Sequence, residues 1–420
     1  MSGEPAEIDA FLRRLTRFFL RNSAEGAFDV RDVVRRVGAC FGVRADVLLI
    51  AEAAVVTVAH PDGPESVVTV RAVPQLARLD RVAQSKNLVT AITSGRLTLA
   101  EADRALTTLE SSRAPFPDWL KVIGVALFAV GFAPSVQATW REVGSSALLG
   151  LVMGLLFLLA GRFRRMDLVL PIIGPIAVGV VAFGLLDAAN APGGPVLVMI
   201  PALFVLIPGD YLCAAAAELA VGQFTPGAVR LAQAVFILVE LAVGLIIAAE
   251  ITQAGAASLS ERTVPDSLPF WIVVASWIPF TIGLVLTFTA RPRDFLWMLL
   301  LVYLAWGTQL VATALTDHIA GTFVAGVVLS AAVGLLEWSE NTPPRIVLIL
   351  GGFFALTVGA VALRGLTTLE GGQTGEALSD LVAAVMQATA LTLGLVVGTI
   401  ATLVKPARMR PTPARAPTAS

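Results

Sequence analysis

Glu240 is an isolated carboxylate flanked by FILV and LAVG, about halfway along an apolar stretch. An acid at that depth in hydrocarbon must be protonated, paired or functional. Two roles are open to it. It can carry a proton in exchange for a solute, or it can face a bundle interior and bond a neighbouring Gln or Thr. A second set of candidates works through the backbone. In IPALFVLIPGD, Ile200 to Asp210, Pro201 and Pro208 each lack an N–H and Gly209 permits an unusual turn, so the segment predicts a broken helix. An unwound turn offers free N–H groups and the positive end of a half-helix, which suits a carboxylate such as that of an amino acid. Asp210 is placed to cap the half-helix that follows. Pro171-Ile172-Ile173-Gly174-Pro175 predicts a similar interruption or a simple proline kink, and Thr308 and Gln309 are expected along the same path. The substrate-binding candidates are therefore Pro171, Gly174, Pro208, Gly209, Asp210 and Gln309, with Glu240 for proton coupling.

Enzymatic chemistry finds no support. His60 and His318 are the only histidines, and neither stands in a nucleophile or metal-ligand motif. GxSxG, P-loop and HExxH patterns are missing from the sequence, so no catalytic residue, cofactor or metal is implied, and direct use of ATP would need a partner chain. Cys40 and Cys213 lie far apart with no CxxC, which supports neither a disulfide framework nor a zinc site.

The elements that carry these residues follow from composition. The chain of 420 residues is 56% hydrophobic and 15% charged, with a mean hydropathy of +0.80. Soluble domains are about one quarter charged, so most of the chain belongs in a lipid bilayer. A formal net charge of -1 excludes the basic balance that a nucleic-acid partner requires. The charge concentrates in residues 1–115, which read as a small soluble α+β domain. Ile8 to Arg21 and Val30 to Phe41 have helical apolar spacing, and ADVLLIAE, AVVTVAH and ESVVTVRAV are β-branched runs split by turn residues. Helices follow from Leu79 to Ser94 and from Thr98 to Ser111, the latter opening with the capping box Thr98-Leu99-Ala100-Glu101. No secretory leader is evident in the first residues, so this domain is expected in the cytoplasm.

From Asp118 onward, apolar runs near the roughly 20 residues that cross a bilayer recur between short polar breaks. They predict ten spans, at 118–136, 143–161, 168–187, 195–208, 227–249, 268–290, 295–314, 319–337, 345–364 and 380–404, with 208–225 as a half-helix or re-entrant turn. Arginine and lysine gather in GRFRRMD, in the Arg291/Arg293 loop and in the C-terminal tail, all on one side of a ten-span path. The positive-inside rule makes that side cytoplasmic, with both termini there and the chain in the cell's inner (plasma) membrane.

Shifting the chain by about 150 residues superposes its two membrane halves. Gly184 to Asp187 meets Gly334 to Glu337, Asp167 meets Asp317, Phe204 meets Phe354, and Leu241 to Leu245 meets Leu391 to Leu395. A shift two residues longer pairs Phe128 and Gly131 with Phe280 and Gly283, and Arg141-Glu142 with Arg293-Asp294. Five spans per copy is an odd number, so the second copy must enter the membrane inverted, the architecture of many secondary transporters. The expected fold is a polytopic α-helical membrane protein of about ten helices in two inverted five-helix repeats. Its parts are the domain at 1–115, modules at 116–250 and 268–404, a linker at 251–267 and a disordered basic tail at 405–420.

AEGAFDVRDVVRRVGACFGV, LIPGD at Leu206 to Asp210, and ELAVGQFTPGAVRL at Glu218 to Leu231 together resemble the threonine/serine exporter family, over nearly the whole chain. The family pairs a soluble domain with two homologous multi-span modules. Ala27 and Phe28 depart from the hydroxyl-bearing residues usual in relatives, and the second module lacks their Pro-Gly. The resemblance implies export of threonine and serine driven by a proton gradient or the membrane potential, with small dicarboxylates such as succinate as an alternative cargo. The partners it implies are an amino-acid substrate and the bilayer, with a homo-oligomer as a further possibility. A membrane-anchored ligand sensor or scaffold is the competing reading from another class.

Overall fold

A computed structural model describes residues 4–22, 27–50, 53–61, 63–71, 78–137, 139–163, 166, 168–186, 194–220, 222, 224–254, 268–337, 342–356 and 374–403. The linker residues 255–267, the tail 404–420, Asp167 and Asp187, and the side chains of Ala27, Phe28, Asp210 and Cys213 lie outside the description.

The N-terminal part follows its sequence periodicity. Helices α1 (Pro5–Asn22) and α2 (Ala27–Cys40) precede strands β1 (Arg44–Ile50), β2 (Ala53–Ala59) and β3 (Ser66–Arg71), then α3 (Leu79–Thr93) and α4 (Leu99–Glu110). The strands form one antiparallel sheet in the order β1-β2-β3, with Val47 opposite Val56 and Ala53 opposite Arg71. Period-two alternation turns Ala45, Val47, Ala54, Val56, Val58 and Val70 to one face, where they pack with Leu12, Leu15, Val34, Val37 and Leu106. Arg14 fastens α1 to α4 through Asp103, Thr107 and Glu110, and those carboxylates hold its guanidinium pKa above the ordinary value despite partial burial. The Thr98 capping box forms as its sequence predicts: Glu101 N–H donates to Thr98 Oγ1 and Thr98 N–H to Glu101 Oε2.

From Trp119 onward the described residues form helices and the turns between them. The elements are α5 (Trp119–Phe132) with a 3-10 turn at Ala133–Ser135, α6 (Trp140–Arg162), α7 (Leu170–Leu185), α8 (Pro195–Leu203) with a 3-10 turn at Phe204–Leu206, α9 (Gly209–Ala220) and α10 (Phe224–Ile251). Then come α11 (Phe270–Thr287), a 3-10 turn at Pro292–Asp294, α12 (Phe295–Leu315), α13 (His318–Leu336), α14 (Arg345–Ala355) and α15 (Thr374–Leu403). Among the described residues six helices are long and apolar enough to cross a membrane, and four more, within 119–135, 170–185, 195–206 and 345–355, are apolar but shorter. Where ten spans are expected, six helices reach membrane-crossing length and four of the expected runs are carried by shorter apolar helices. The fourth run is divided at Pro208, and of the expected span at 345–364 the helix covers Arg345–Ala355, with 357–373 outside the description.

Small residues set the spacing between these helices. Glycines on α5 and α11 bring the two backbones together: a Cβ on Gly131 would strike the backbone of Phe280, and one on Gly283 the backbone of Phe128. Gly394 and Gly398 likewise let α15 lie against the carbonyls of Phe323 and Val327 on α13. Lipid is as apolar as Leu, so close van der Waals packing of this kind is what holds membrane helices together.

The N-terminal domain is seated on the helices through α3. Leu79 and Asp80 donate their N–H groups to the carbonyls of Phe288 and Thr289, each at 3.1 Å, and Leu79 is buried in the same core as Phe128 and Phe280. Lys86 Nζ donates to the Thr342 carbonyl at 3.0 Å. Thr289, two residues past the end of α11, is in the left-handed region, φ 54°, where a β-branched residue is strained. The bond from Asp80 holds it there.

Candidate functional site

The break in the fourth apolar run is built as the residue types dictate. A residue before proline avoids the helical region, and Ile207 is extended, φ -64° and ψ 122°. Pro208 donates nothing, Gly209 N–H turns back onto the Ile207 carbonyl at 2.7 Å, and α9 begins with Leu212 N–H on the Pro208 carbonyl at 3.0 Å. Phe204, Val205, Ile207, Pro208 and Gly209 are all buried.

A half-helix from the other half of the chain ends at the same place. The ring of Phe353, near the C-terminus of α14, lies where a Cβ on Gly209 would be. Around it the Phe204 ring stacks on Phe132 with centroids 4.2 Å apart and meets Phe354 edge-on at 5.5 Å. Phe128 stacks on Phe280 at 4.7 Å and Phe288 reaches Phe354 at 5.9 Å. The negative ends of α8 and α14 and the positive end of α9 therefore meet in an aromatic, water-poor centre. A carboxylate is stabilised at the positive end and an ammonium at the negative ends.

The candidate residues separate into two groups. Pro208, Gly209 and Gly174 come together: a Cβ on Gly174 would sit 2.9 Å from Leu206 Cδ1 and 3.1 Å from Met153 Sδ, against the turn that precedes the break. The interruption predicted at Pro171-Pro175 is corrected, because α7 runs continuously from Leu170 to Leu185. Pro171 occupies the first helical turn, where the missing N–H has no partner to lose. Pro175 is accommodated by Gly244 of α10, whose Cβ would lie 2.9 Å from the Pro175 ring and 2.8 Å from the Ile172 carbonyl. Gln309 and Glu240 stand apart. Gln309 is buried on α12 and donates to Thr322 Oγ1 of α13 at 3.0 Å, fastening that pair of helices. Thr308 lines a shallow groove with Tyr303, Leu304, Val311 and Val324. Glu240 is half-buried on the flank of α10, beside outward-facing Phe236, Val239 and Val243, and bonds no other described residue.

Three features escaped the sequence reading. The aromatic centre was visible only as repeat matches, Phe128 with Phe280 and Phe204 with Phe354. Buried Gln137 donates to Ser146 Oγ at 2.9 Å and to the Leu197 carbonyl at 3.0 Å, tying the end of α5 to α6 and α8. Arg345, the first residue of α14, reaches Ser330 and Thr399; a basic residue between Pro-Pro and an apolar run was the signal for it. Among the described residues no cluster of His, Cys, Asp and Glu is placed to hold a metal ion.

Comparison with known proteins bears on this arrangement. The family model described as "Putative threonine/serine exporter" matches residues 10–252, from α1 to the end of α10. A "Probable threonine/serine exporter" of Mycobacterium tuberculosis is 25% identical over 331 residues, covering 76% of this chain. The match spans 61% of that relative's length. No solved structure matches the chain. With its many apolar helices the protein is a multi-pass membrane protein, and the chain belongs to the threonine/serine exporter family.

Proposed function

We propose that this protein is a secondary active exporter of small hydrophilic metabolites, threonine and serine foremost, that works by alternating access and draws on the proton gradient or the membrane potential. It crosses the inner membrane ten times as two inverted five-helix modules, 116–250 and 268–404, joined by the linker 251–267. The domain 1–115 and the tail 405–420 are cytoplasmic.

One observation carries the reading, the reciprocity of the contact between α5 and α11. Gly131 receives Phe280 while Gly283 receives Phe128, and these are the residues paired by the sequence shift. A two-fold axis exchanges the two contacts, as in an isologous interface. Modules with an odd number of spans put such an axis in the membrane plane, with the substrate near the midplane where broken helices meet. The seating of α3 supports the topology. Its two docking points, Phe288-Thr289 and Thr342, are separated by the two helices α12 and α13 and so lie on one face. The Arg291/Arg293 loop lies on that face too, as a cytoplasmic loop should.

In this reading the substrate carboxylate rests at Pro208, Gly209 and Asp210 with Gly174 beside it, and the ammonium faces the ends of α8 and α14. Pro171 and Gln309 bound the path farther out, and Glu240 carries the coupling proton. Counterflow of labelled threonine, serine and succinate into proteoliposomes tests the claim. Saturable flux of threonine and serine is expected; flux of succinate alone selects dicarboxylate export, and no saturable flux of any of the three removes the transporter reading in favour of a sensor or scaffold.

A further inference from the structure

Arg345 breaks two local rules at once. It is the first residue of α14, so its charge adds to the positive end of the helix instead of offsetting it. Its inner contacts are neutral hydroxyls: Nη2 donates to Ser330 Oγ of α13 at 2.7 Å and to Thr399 Oγ1 of α15, and the two hydroxyls lie 2.8 Å apart. Nη1 is 3.6 Å from Glu337 Oε2, an ion pair longer than a hydrogen bond. The side chain is 24% exposed. Lys86 of the N-terminal domain brings a second cation to the Thr342 carbonyl, three residues before Arg345.

A brace between α13, α14 and α15 would explain these bonds without function, but the joint does not require them. At the positions about 150 residues earlier stand Val180, Pro195 and Ala249, on α7, α8 and α10; α7 packs against each of the other two helices, and none of these three residues carries a charge or a hydroxyl. Ionisable groups inside a membrane protein and departures from local sequence rules both concentrate at functional sites.

We propose that Arg345, Ser330 and Thr399 form a capture site for the substrate's carboxylate on the face of the N-terminal domain. This rests on the export reading above. A guanidinium presents a planar fork that matches a carboxylate, the hydroxyls can rotate to donate to the same oxygens, and the α14 N-terminus adds partial positive charge. The corresponding positions in the first half are apolar, so among the described residues there the site has no equivalent. Recognition of the carboxylate at entrance is one-sided.

The test uses the full-length protein in vesicles of both orientations, with labelled threonine as the probe. Ser330→Ala/Thr399→Val, which keeps the cation and the packing, should raise KM at the N-terminal-domain face about ten-fold, with kcat and the KM at the opposite face within two-fold of wild type. In the wild type, threoninamide, which lacks the carboxylate, should inhibit far more weakly than threonine from that face, and Arg345→Gln should erase the difference. If wild type transports threonine and the double variant leaves both KM values unchanged, or raises them equally, Arg345 is a brace and the proposal fails. If wild-type KM depends on phosphatidylglycerol in the vesicle and the double variant loses that dependence, the cluster holds a lipid phosphate and the proposal also fails. Absence of saturable flux in the wild type with threonine, serine and succinate is a different result, which removes the export reading itself.

Discussion

The two halves of the membrane helices, 119–251 and 270–403, agree in how they pack and differ in where they are polar. Each brings its first helix to the shared contact with a phenylalanine and a glycine one turn apart, Phe128 with Gly131 and Phe280 with Gly283. Each sends a short apolar helix to the centre, α8 ending at Leu203 just before Phe204 and α14 carrying Phe354 in its last turn. The first half is broken at Pro208, whereas in the second Gly351 to Phe354 lie within α14, which runs to Ala355. Some ionisable groups recur between the two sequences, Asp187 with Glu337 and Arg141-Glu142 with Arg293-Asp294, but two others have no counterpart: Glu240 stands where the second half has Ala390, and Arg345 where the first has Pro195. Packing therefore constrains the pair as a unit, whereas direction and coupling can be written on either half alone.

The largest effects should come from breaking the shared contact. Gly131→Ala and Gly283→Ala each push a methyl into a helix backbone that cannot rotate away, and overpacking of this kind costs about 1–3 kcal/mol. Both should lower the unfolding temperature in detergent by similar amounts, and either Leu variant should fail to accumulate. Gly144→Ala on α6, with nothing within 4 Å of the new Cβ, should be neutral or slightly stabilising. A large effect on one side of the contact only would break the symmetry argument. Gly209→Ala is milder, since the obstacle is the ring of Phe353, a side chain able to move. It should reduce threonine counterflow more than stability, and Phe353→Leu in the same chain should restore part of the flux.

Legibility in the sequence followed the range of the forces involved. The N-terminal α+β fold was readable because periodicity and capping are local: the Thr98 box and all three strands lie within a residue or two of their patterns. The break at Pro208 was readable because a missing donor beside a glycine has few alternatives in a membrane. Pro171 and Pro175 misled because a proline's effect depends on its place in the helix and on the neighbour facing it, here the first turn and Gly244. The meeting of Gly209 with Phe353 joins residues 144 positions apart, and no local pattern announces it. Arg345 was passed over because counting arginines assigns them to loops, while this one begins a helix and turns inward to Ser330.

The acid of the first half sharpens the comparison next. Glu240→Gln keeps the shape of the side chain and removes its proton chemistry. Counterflow at equal pH on both sides should survive, since exchange needs no net proton movement, while accumulation driven by a pH gradient should fall to the level of passive leak. Ala390→Glu, which places an acid at the corresponding position of the second half, should not restore it. Unchanged pH-driven accumulation in Glu240→Gln would remove the residue from coupling and leave it a half-buried helix acid.

The smallest effects compare one motif in two surroundings. Thr98-Glu101 caps α4 in water, and Thr139-Glu142 caps α6 with its glutamate buried. Thr98→Ala removes an exposed cap worth about 1 kcal/mol. Thr139→Ala should cost more, about 1–3 kcal/mol, because it also takes a 3.0 Å hydrogen bond from a buried carboxylate. The exposed box carries a pH signature. The backbone N–H of Thr98, and then its hydroxyl, hold the Glu101 carboxyl below the usual carboxylate range. A depressed pKa adds stability that is fully present above the unfolded value, about 4.3 for glutamate, and is lost as pH falls through the folded one. The stability gap between wild type and Thr98→Ala should thus hold steady above about pH 5 and narrow below about pH 4.3. Thermal unfolding followed in that range measures it, and a gap that widens on acidification would mean that the ionised glutamate is not what closes the box.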